Sequence, residues 1–396
     1  MTGPQDGAPL FHTHTHDGST HTHIDPAAMA RLAPAEDLRI RAVVLPAGDQ
    51  RDLWIHDGVL VEGPLPGART LARDCWVMPG LVDAHNHIGL NAKGAVSHQE
   101  AESQAITESR AGTLLIRDAG SPVDTHWIDE REDLPRIIRA GRHIARPRRY
   151  IRNYAAEVDP DELVAEVDRQ ARAGDGWVKL VGDWIDREVG DLAPLWPQDV
   201  ARAAIERAHQ IGARVTAHCF SEEAPAQLVA AGIDGIEHGT GLTDETISQM
   251  AVRGVALVPT LVNIENFPAI AASADGKFPV YAAHMRHLHA HVAETVGKAV
   301  DAGVPVFAGT DAGGTVPHGL ASREVRMLAE IGGAEFALGA ASWRARQWLG
   351  GPGLDLGDSA DLLVLDADPR QDLSTLERPR HIVLRGRVLL DRPEQA

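Results

Sequence analysis

Short apolar stretches alternate with longer amphipathic stretches between residues 78 and 350. Each apolar stretch has the length of a buried strand, and a segment with helical periodicity follows it. This alternation is typical of parallel β/α units, because parallel strands need a long crossover connection. Eight strands are predicted, at residues 81–88, 113–120, 148–153, 177–183, 214–220, 235–239, 255–261 and 304–313.

Eight strand and helix repeats in this length match the usual size of a closed (β/α)8 TIM-like barrel. We therefore predict an α/β fold with such a barrel at residues 78–350. Helix signals agree with this: Asp159-Pro160 opens an amphipathic segment, which Gly174 ends. An open doubly wound sheet is the alternative, but no G-x-G-x-x-G pattern follows the first strand to support it.

The flanking segments have different patterns. Residues 36–77 and 351–396 contain short β-type stretches, with a turn signal at Asp57-Gly58, and are predicted to form one small β-sandwich domain. Residues 1–35 have little apolar periodicity and include FHTHTHDGSTHTH, so we predict a flexible, histidine-rich tail. Such a tail could bind zinc or nickel, which leaves a metal-binding or metal-buffering protein as a non-enzymatic alternative. A solvated polar extension explains it equally well.

Composition and charge exclude several classes of function. The formal net charge of -18 would repel nucleic acid and anionic membrane surfaces, and no apolar run is long enough to span a bilayer. Cys75 and Cys219 are too few for a disulfide framework, and the start of the chain lacks a signal-peptide pattern. We expect a cytoplasmic protein with a small-molecule substrate, and homo-oligomerisation stays open. The 20 histidines point to metal chemistry.

Metal-capable side chains fall at the carboxyl ends of the predicted strands, where active sites of barrels lie. His85 and His87 stand two apart on the first strand and so point to the same side of it. Lys179 lies inside an apolar strand, where an unpaired ammonium would be costly. The other three follow the same placement on the fifth, sixth and eighth strands: His218, His238 and Asp311. The sequence therefore predicts one polar site at one end of the barrel.

From residue 38 onward the chain resembles the amidohydrolase superfamily, specifically imidazolonepropionase-like and prolidase-type (Xaa-amino-acid dipeptidase) proteins. The resemblance rests on the following motifs: VMPGLVDAHNHIGL, WVKLVGD, TAHCF, GIEHGTGLTDETI, GVALVPTL, FAGTDAG and GDSADLLVLDADP.

The resemblance implies a metal-dependent hydrolase with two divalent ions, zinc being the first expectation. His85, His87 and Asp311 would hold one ion, and His218 and His238 the other. Lys179, carboxylated by carbon dioxide, would bridge them. A hydroxide between the ions would attack the carbonyl of an amide-type bond, in a dipeptide or an N-acyl amino acid, and Asp311 would act as the catalytic acid and base.

A one-metal, deaminase-like or cyclic amidohydrolase branch of the same superfamily is the enzymatic alternative, with a nitrogen heterocycle as substrate. His85, His87, His218 and Asp311 would then hold one ion, and His238 would act as base. That branch usually has a Glu three positions after the fifth-strand histidine, whereas this chain has Ser221 there. Lys179 would also have no catalytic or metal-binding role in this alternative.

Substrate contacts are harder to assign. Dipeptidase-type relatives commonly carry Gly-Gly-His near the third strand, and this chain has RYIRNYAAEVD. Arg152 and Tyr154 in that stretch could bind a carboxylate or the carbonyl oxygen. Trp184, Thr260 and His318 follow other strands and are further candidates.

Overall fold

The computed structural model of the chain describes residues 11–16, 19–24 and 36–392, with side chains from residue 36 onward. Its strands are β1 (Phe11–His16), β2 (Ser19–Ile24), β3 (Leu38–Val44), β4 (Asp49–His56), β5 (Val59–Val61), β6 (Arg69–Pro79), β7 (Leu81–Asn86), β8 (Leu90–Asn91), β9 (Gly94–Ala95), β10 (Thr113–Asp118), β11 (Arg136–Arg139), β12 (Ile144–Ala145), β13 (Ala156–Glu157), β14 (Trp177–Val181), β15 (Asp183–Asp186), β16 (Asp191–Pro194), β17 (Arg214–Cys219), β18 (Gly235–His238), β19 (Ala256–Val258), β20 (Leu362–Leu365), β21 (His381–Leu384) and β22 (Arg387–Asp391).

The α-helices are α1 (His98–Arg110), α2 (Leu163–Ala173), α3 (Gln198–Gln210), α4 (Glu223–Ala231), α5 (Asp244–Arg253), α6 (Leu261–Ile264), α7 (Phe267–Ala274), α8 (Pro279–Asp301), α9 (Ala321–Gly332), α10 (Ala334–Ala340) and α11 (Trp343–Leu349). Short 3₁₀ helices span His126–Glu130, Pro160–Glu162 and Leu373–Glu377. The predicted helix after Asp159 begins as the second of these, with a capping box between Asp159 and Glu162, and continues as α2 until Gly174.

The middle of the chain is α/β, as predicted. Parallel strands form a three-stranded sheet in the order β11-β10-β7 and a six-stranded sheet in the order β13-β12-β14-β17-β18-β19. Every residue of β7, β10, β14 and β18 is buried, because helices cover these strands. Their polar residues are therefore exceptions that need partners.

Two extended segments contact both parallel sheets. Residues 136–145 pair with β10 through β11 and with β14 through β12. Residues 304–312 bridge to β19 at Leu257 and Val306, and the Ala84 amide of β7 donates to the Ala308 carbonyl at 2.8 Å. These contacts link the edges of the two sheets.

Three of the strand predictions need correction. Residues 148–153 are not a strand, because Arg148 and Asn153 both have left-handed backbone angles; β11 and β12 take that place. Residues 304–313 are extended but form only isolated bridges, and Asp311 has a φ of 61°. The seventh strand also ends early, at Val258, because Thr260 is the N-cap of α6.

Both ends of the described chain contribute to one seven-stranded sheet in the order β22-β21-β20-β6-β3-β4-β5. It has an apolar cluster of its own, which includes Leu38, Ile40, Val77 and Leu362. Its arrangement as a sandwich stays a prediction. In the predicted tail, β1 and β2 pair as an antiparallel hairpin, and the rest of residues 1–35 lies outside the described residues.

None of the described helices combines the length and apolar character that a bilayer crossing requires.

An ion-paired histidine ties α8 to the neighbouring elements. His284 Nδ1 lies 2.9 Å from Asp191 Oδ1 of β16, and its Nε2 lies 3.2 Å from Glu222 Oε2, just before α4. Glu222 and Asp191 together raise the pKa of His284 to about 9, against the effect of burial.

We expect His284→Gln to flatten the pH dependence of stability. The stabilisation from protonated His284 is fully present below its unfolded pKa of 6.5 and is lost as the pH rises to about 9. Thermal unfolding of wild type, His284→Gln and the control His289→Gln across this range tests it. A wild-type decline in Tm that persists unchanged in His284→Gln would contradict the assignment.

Candidate metal centre

Three ligand-type atoms converge at the carboxyl end of β7 and the segment after residue 304. His85 Nε2 and His87 Nε2 are 3.2 Å apart, and Asp311 Oδ1 lies 3.1 Å and 3.0 Å from them. Donor atoms with this mutual spacing fit around one ion at the usual metal–ligand length of about 2.0–2.2 Å. The predicted grouping of these three residues is present in the structure.

A second pair of histidines faces the first group. His218 Nδ1, at the end of β17, lies 2.9 Å from His238 Nε2, at the end of β18. The His85 and His238 rings are 5.1 Å apart between centroids, and ligand atoms of His85, His238 and Asp311 all lie within 4.8 Å of one another. Five metal-capable side chains therefore share one site.

Lys179 of β14 completes the cluster. Its Nζ lies 3.3 Å from His85 Nε2, and the side chain is buried. Burial lowers the pKa of this amine to about 8, although Glu237 and Asp311 oppose the shift. The cluster therefore includes one amine, which comes from the middle of an apolar strand.

Three of the four histidines of the cluster have their other nitrogen close to a protein oxygen, whereas His218 Nε2 is buried without a hydrogen-bond partner among the described residues. His87 Nδ1 donates to the Gly120 carbonyl at 2.6 Å, and His238 Nδ1 lies 2.7 Å from Thr260 Oγ1. His85 Nδ1 lies 2.8 Å from Glu237 Oε2. Metal-binding histidines typically have such partners, which fix the tautomer and the ring orientation. The donor set therefore fits a divalent ion.

The partner of His85 belongs to a buried charge chain. Arg117 of β10 contacts Glu237 Oε1 at 2.5 Å, donates to the Ala84 carbonyl at 2.7 Å, and stacks over the Trp177 ring at 4.7 Å. Arg117 and Glu237 are both fully buried. The arginine thus neutralises the carboxylate that orients His85.

Three residues of the site have strained backbone angles. His238, Thr260 and Asp311 have φ angles of 66°, 48° and 61°, in the left-handed region that side chains other than glycine rarely adopt. Close packing helps to hold these positions: a Cβ at Gly309 would lie 2.7 Å from the His85 backbone nitrogen. The surrounding structure therefore fixes the direction of these side chains.

Electrostatics keeps Asp311 ionised. Burial would raise the pKa of its carboxyl, but the charge of His85 and hydrogen bonds with His85 and His87 hold that pKa well below its usual range. Asn263 Nδ2 donates to Asp311 Oδ2 at 2.8 Å, which fixes the second oxygen. Burial lowers the pKa values of His218 and His238 well below the usual value, which favours neutral rings with a lone pair free for a metal ion.

A cavity of about 480 Å³ opens onto the cluster. It is lined by His87, Leu90, Tyr150, Ile151, Tyr154, Trp184, His218, Phe220, Asn263, Asn266, Ala269, Ile270, Ser273, Tyr281, Asp311, Gly314 and Thr315.

The predicted substrate contacts divide into two groups. Tyr154 and Trp184 line the cavity. Arg152 is exposed and is not part of the lining, because the predicted strand that would have aimed it inward is a turn. Thr260 holds His238, and His318 Nδ1 lies 3.0 Å from the buried Glu108, so both reach other protein groups and not the lining.

Several residues of the site are not predicted from the sequence. Tyr150 packs against His218 with ring centroids 5.6 Å apart, and Phe220 and Tyr281 lie on the same cavity wall. Only tertiary packing brings these rings together, so no local signal identifies them. Glu237 did carry a signal, because it is a charged residue inside a short buried strand, as Lys179 is.

Comparison with known proteins agrees with this geometry. Residues 76–389 match the Amidohydrolase family. The chain belongs to this family. An uncharacterized protein of Mycobacterium tuberculosis, Rv2915c, is 58% identical over 353 residues, which cover 89% of this chain and 95% of that protein.

Solved structures share the fold of this amidohydrolase. A prolidase in complex with N-methylphosphonate-L-proline has a TM-score of 0.77 at 22% identity, covering 90% of this chain and 100% of that one. A Xaa-Pro dipeptidase with bound methionine has a TM-score of 0.75 at 23% identity, covering 89% and 99%. The resemblance stated from the sequence motifs is confirmed, and family and site together support a metal-dependent hydrolase.

We expect Arg117→Met to cost about 3–5 kcal/mol of unfolding free energy, because it leaves the Glu237 carboxylate buried without its cation. The matched control is Arg214→Met: Arg214 stacks on the same Trp177 ring at 4.1 Å. That variant should lose only about 1 kcal/mol. Urea unfolding measures the free energy of unfolding of both variants. Equal losses would show that the Arg117–Glu237 ion pair contributes no more to stability than the stacking of Arg214.

Proposed function

We propose that this amidohydrolase cleaves an amide-type C–N bond with two divalent ions, zinc being the first expectation. The observation that carries the proposal is the clustering of six side chains, whose facing nitrogen and oxygen atoms lie 2.9–3.3 Å from their nearest neighbours in the cluster. The resemblance predicts a dipeptide or an N-acyl amino acid as substrate. The proposed function specifies the amide-type C–N bond and leaves the rest of the substrate open.

His85, His87 and Asp311 would hold one ion, and His218 and His238 the other, with a carboxylated Lys179 between them. Carboxylation turns the buried amine into an anion, which suits a site that must balance two cations. When bound, the ions supply an activated water and polarise the scissile carbonyl.

Asp311 would move the proton. Its carboxylate takes a proton from the attacking water and delivers it to the leaving nitrogen, so that water adds hydroxyl to the acyl carbon and hydrogen to the amine. Asn263 keeps Oδ2 of this carboxylate in place through the 2.8 Å hydrogen bond. The cavity walls of Trp184, Tyr150 and Phe220 exclude bulk water from the carbonyl.

The deaminase-like alternative is less well supported. It needs an acid close to His218, but Ser221 donates to Asp183 and Glu222 pairs with His284, away from the cavity lining. It also leaves Lys179 inside the cluster without a role.

The (β/α)8 barrel predicted from the sequence is part of this proposal. The double contacts of residues 136–145 and 304–312 with both parallel sheets support closure into one ring of eight strand segments. Closure would place all six side chains at one end of the barrel.

We expect Lys179→Ala to lower turnover of a chromogenic amide such as 4-nitroacetanilide by more than about a hundredfold, and to lower metal content, because the bridge is lost. Short carboxylic acids should restore part of both. Lys298→Ala, which changes a half-exposed lysine, is the control and should leave both unchanged. Full activity of Lys179→Ala would exclude the bridging carbamate.

Asp311→Asn should keep the fold and abolish turnover, because the amide cannot accept the proton. Circular dichroism and steady-state kinetics on the metal-loaded variant measure the two effects. A near-normal kcat would show that another group transfers the proton.

A further inference from the structure

Rings and aliphatic side chains form the wall of the cavity beyond the metal cluster. Trp184 packs on Tyr150 with centroids 4.7 Å apart, and Phe220 packs on His218 at 4.2 Å. Ile270 of α7 and Tyr281 of α8 continue the wall. Such a surface binds ligands through the burial of aromatic or branched apolar groups.

The lining contains no lysine and no arginine. The arginines near it are engaged elsewhere: Arg149 pairs with Asp186 at 2.7 Å, and Arg142 donates to the Tyr154 carbonyl at 2.8 Å. Arg152 is exposed to solvent. Among the described residues that line the cavity, the basic side chains are therefore only His87 and His218, which belong to the metal cluster and leave the rest of the wall without a cation.

The apolar wall itself disfavours an anionic group. A carboxylate seated against Ile270 and Tyr281 would lose hydration without gaining a cation. The formal net charge of the whole chain, -18, adds a repulsive field.

Neutral hydrogen-bonding groups are present instead. Asn263 and Asn266 lie side by side, with Asn266 Nδ2 3.3 Å from Asn263 Oδ1, and Ser273 and Thr315 add hydroxyls. Amide and hydroxyl groups can orient an uncharged amide without a charge to balance.

We propose that the cavity selects uncharged amides with an aromatic or branched apolar group, and discriminates against free dipeptides and N-acyl amino acids. This inference rests on the proposed function for the position of the scissile bond, and it replaces the substrate expected from the resemblance. Trp184, Tyr150 and Ile270 are its specificity-determining residues.

The test compares two probes that differ only in the group at the carboxyl end: N-acetylphenylalaninamide has a neutral carboxamide, and N-acetylphenylalanine has a carboxylate. Calorimetric titration of the metal-loaded full-length protein gives Kd for a probe that is not hydrolysed, and initial-rate kinetics give KM for a probe that is. We expect the neutral probe to bind about tenfold or more tightly, because burying an uncompensated carboxylate is costly. Equal affinity, tighter binding of the anion, or no binding of either probe would overturn the proposal.

Three variants sharpen the result. Ile270→Arg places a cation in the wall and should reverse the preference, whereas Ile270→Met, a neutral helix-compatible control, should keep it. Arg152→Ala should change neither Kd; a selective loss of the anion's binding in this variant would instead show that Arg152 recognises a carboxylate and would overturn the proposal.

The test separates this inference from the proposed function. A neutral preference without metal-dependent hydrolysis of any amide would refute the function and keep the selectivity. Hydrolysis of N-acetylphenylalanine in preference to its amide would keep the function and refute the selectivity.

Discussion

The balance of buried charge at the ends of the parallel strands is the constraint on which the site depends. Lys179, Arg117 and Glu237 stand in strands whose residues are all buried, and a low-dielectric interior penalises each unpaired charge. Arg117 compensates Glu237, and Glu237 orients His85. Lys179 has no carboxylate among its hydrogen-bonded neighbours, only His85 Nε2 at 3.3 Å. Carboxylation and metal binding would resolve this imbalance, which links the stability of the strands to the chemistry at their ends.

The site has a polar side and an apolar side with different roles. Polar groups on strand ends point at the cluster and are fixed by strained backbone at His238, Thr260 and Asp311. Helices α7 and α8 and the β15–β16 hairpin supply the apolar side, through Ile270, Tyr281 and Trp184. The reaction is thus set by the strands, and the choice of substrate by the elements added above them.

Much of the polar side could be predicted from the sequence, because the metal-capable residues lie within or at the ends of strongly apolar stretches. Strand period and strand ends are local properties of the sequence, and they are enough to place five side chains of the cluster: His85, His87, His218, His238 and Lys179. The predicted third strand, RRYIRN, is a turn, because Arg148 and Asn153 have left-handed backbone angles that a local apolar pair such as Tyr150 and Ile151 does not reveal. Arg152 is therefore exposed and does not line the cavity. The wall of Tyr150, Phe220 and Tyr281 depends on packing between distant elements, which no periodicity reveals.

The most direct test of the account is the number of divalent ions bound per chain. Elemental analysis should be made on protein that begins at Glu36, so that the histidine-rich segment before it contributes nothing. Two equivalents per chain are predicted, falling when Lys179 is replaced by alanine. One equivalent that Lys179→Ala leaves unchanged, or none, would contradict the two-ion centre.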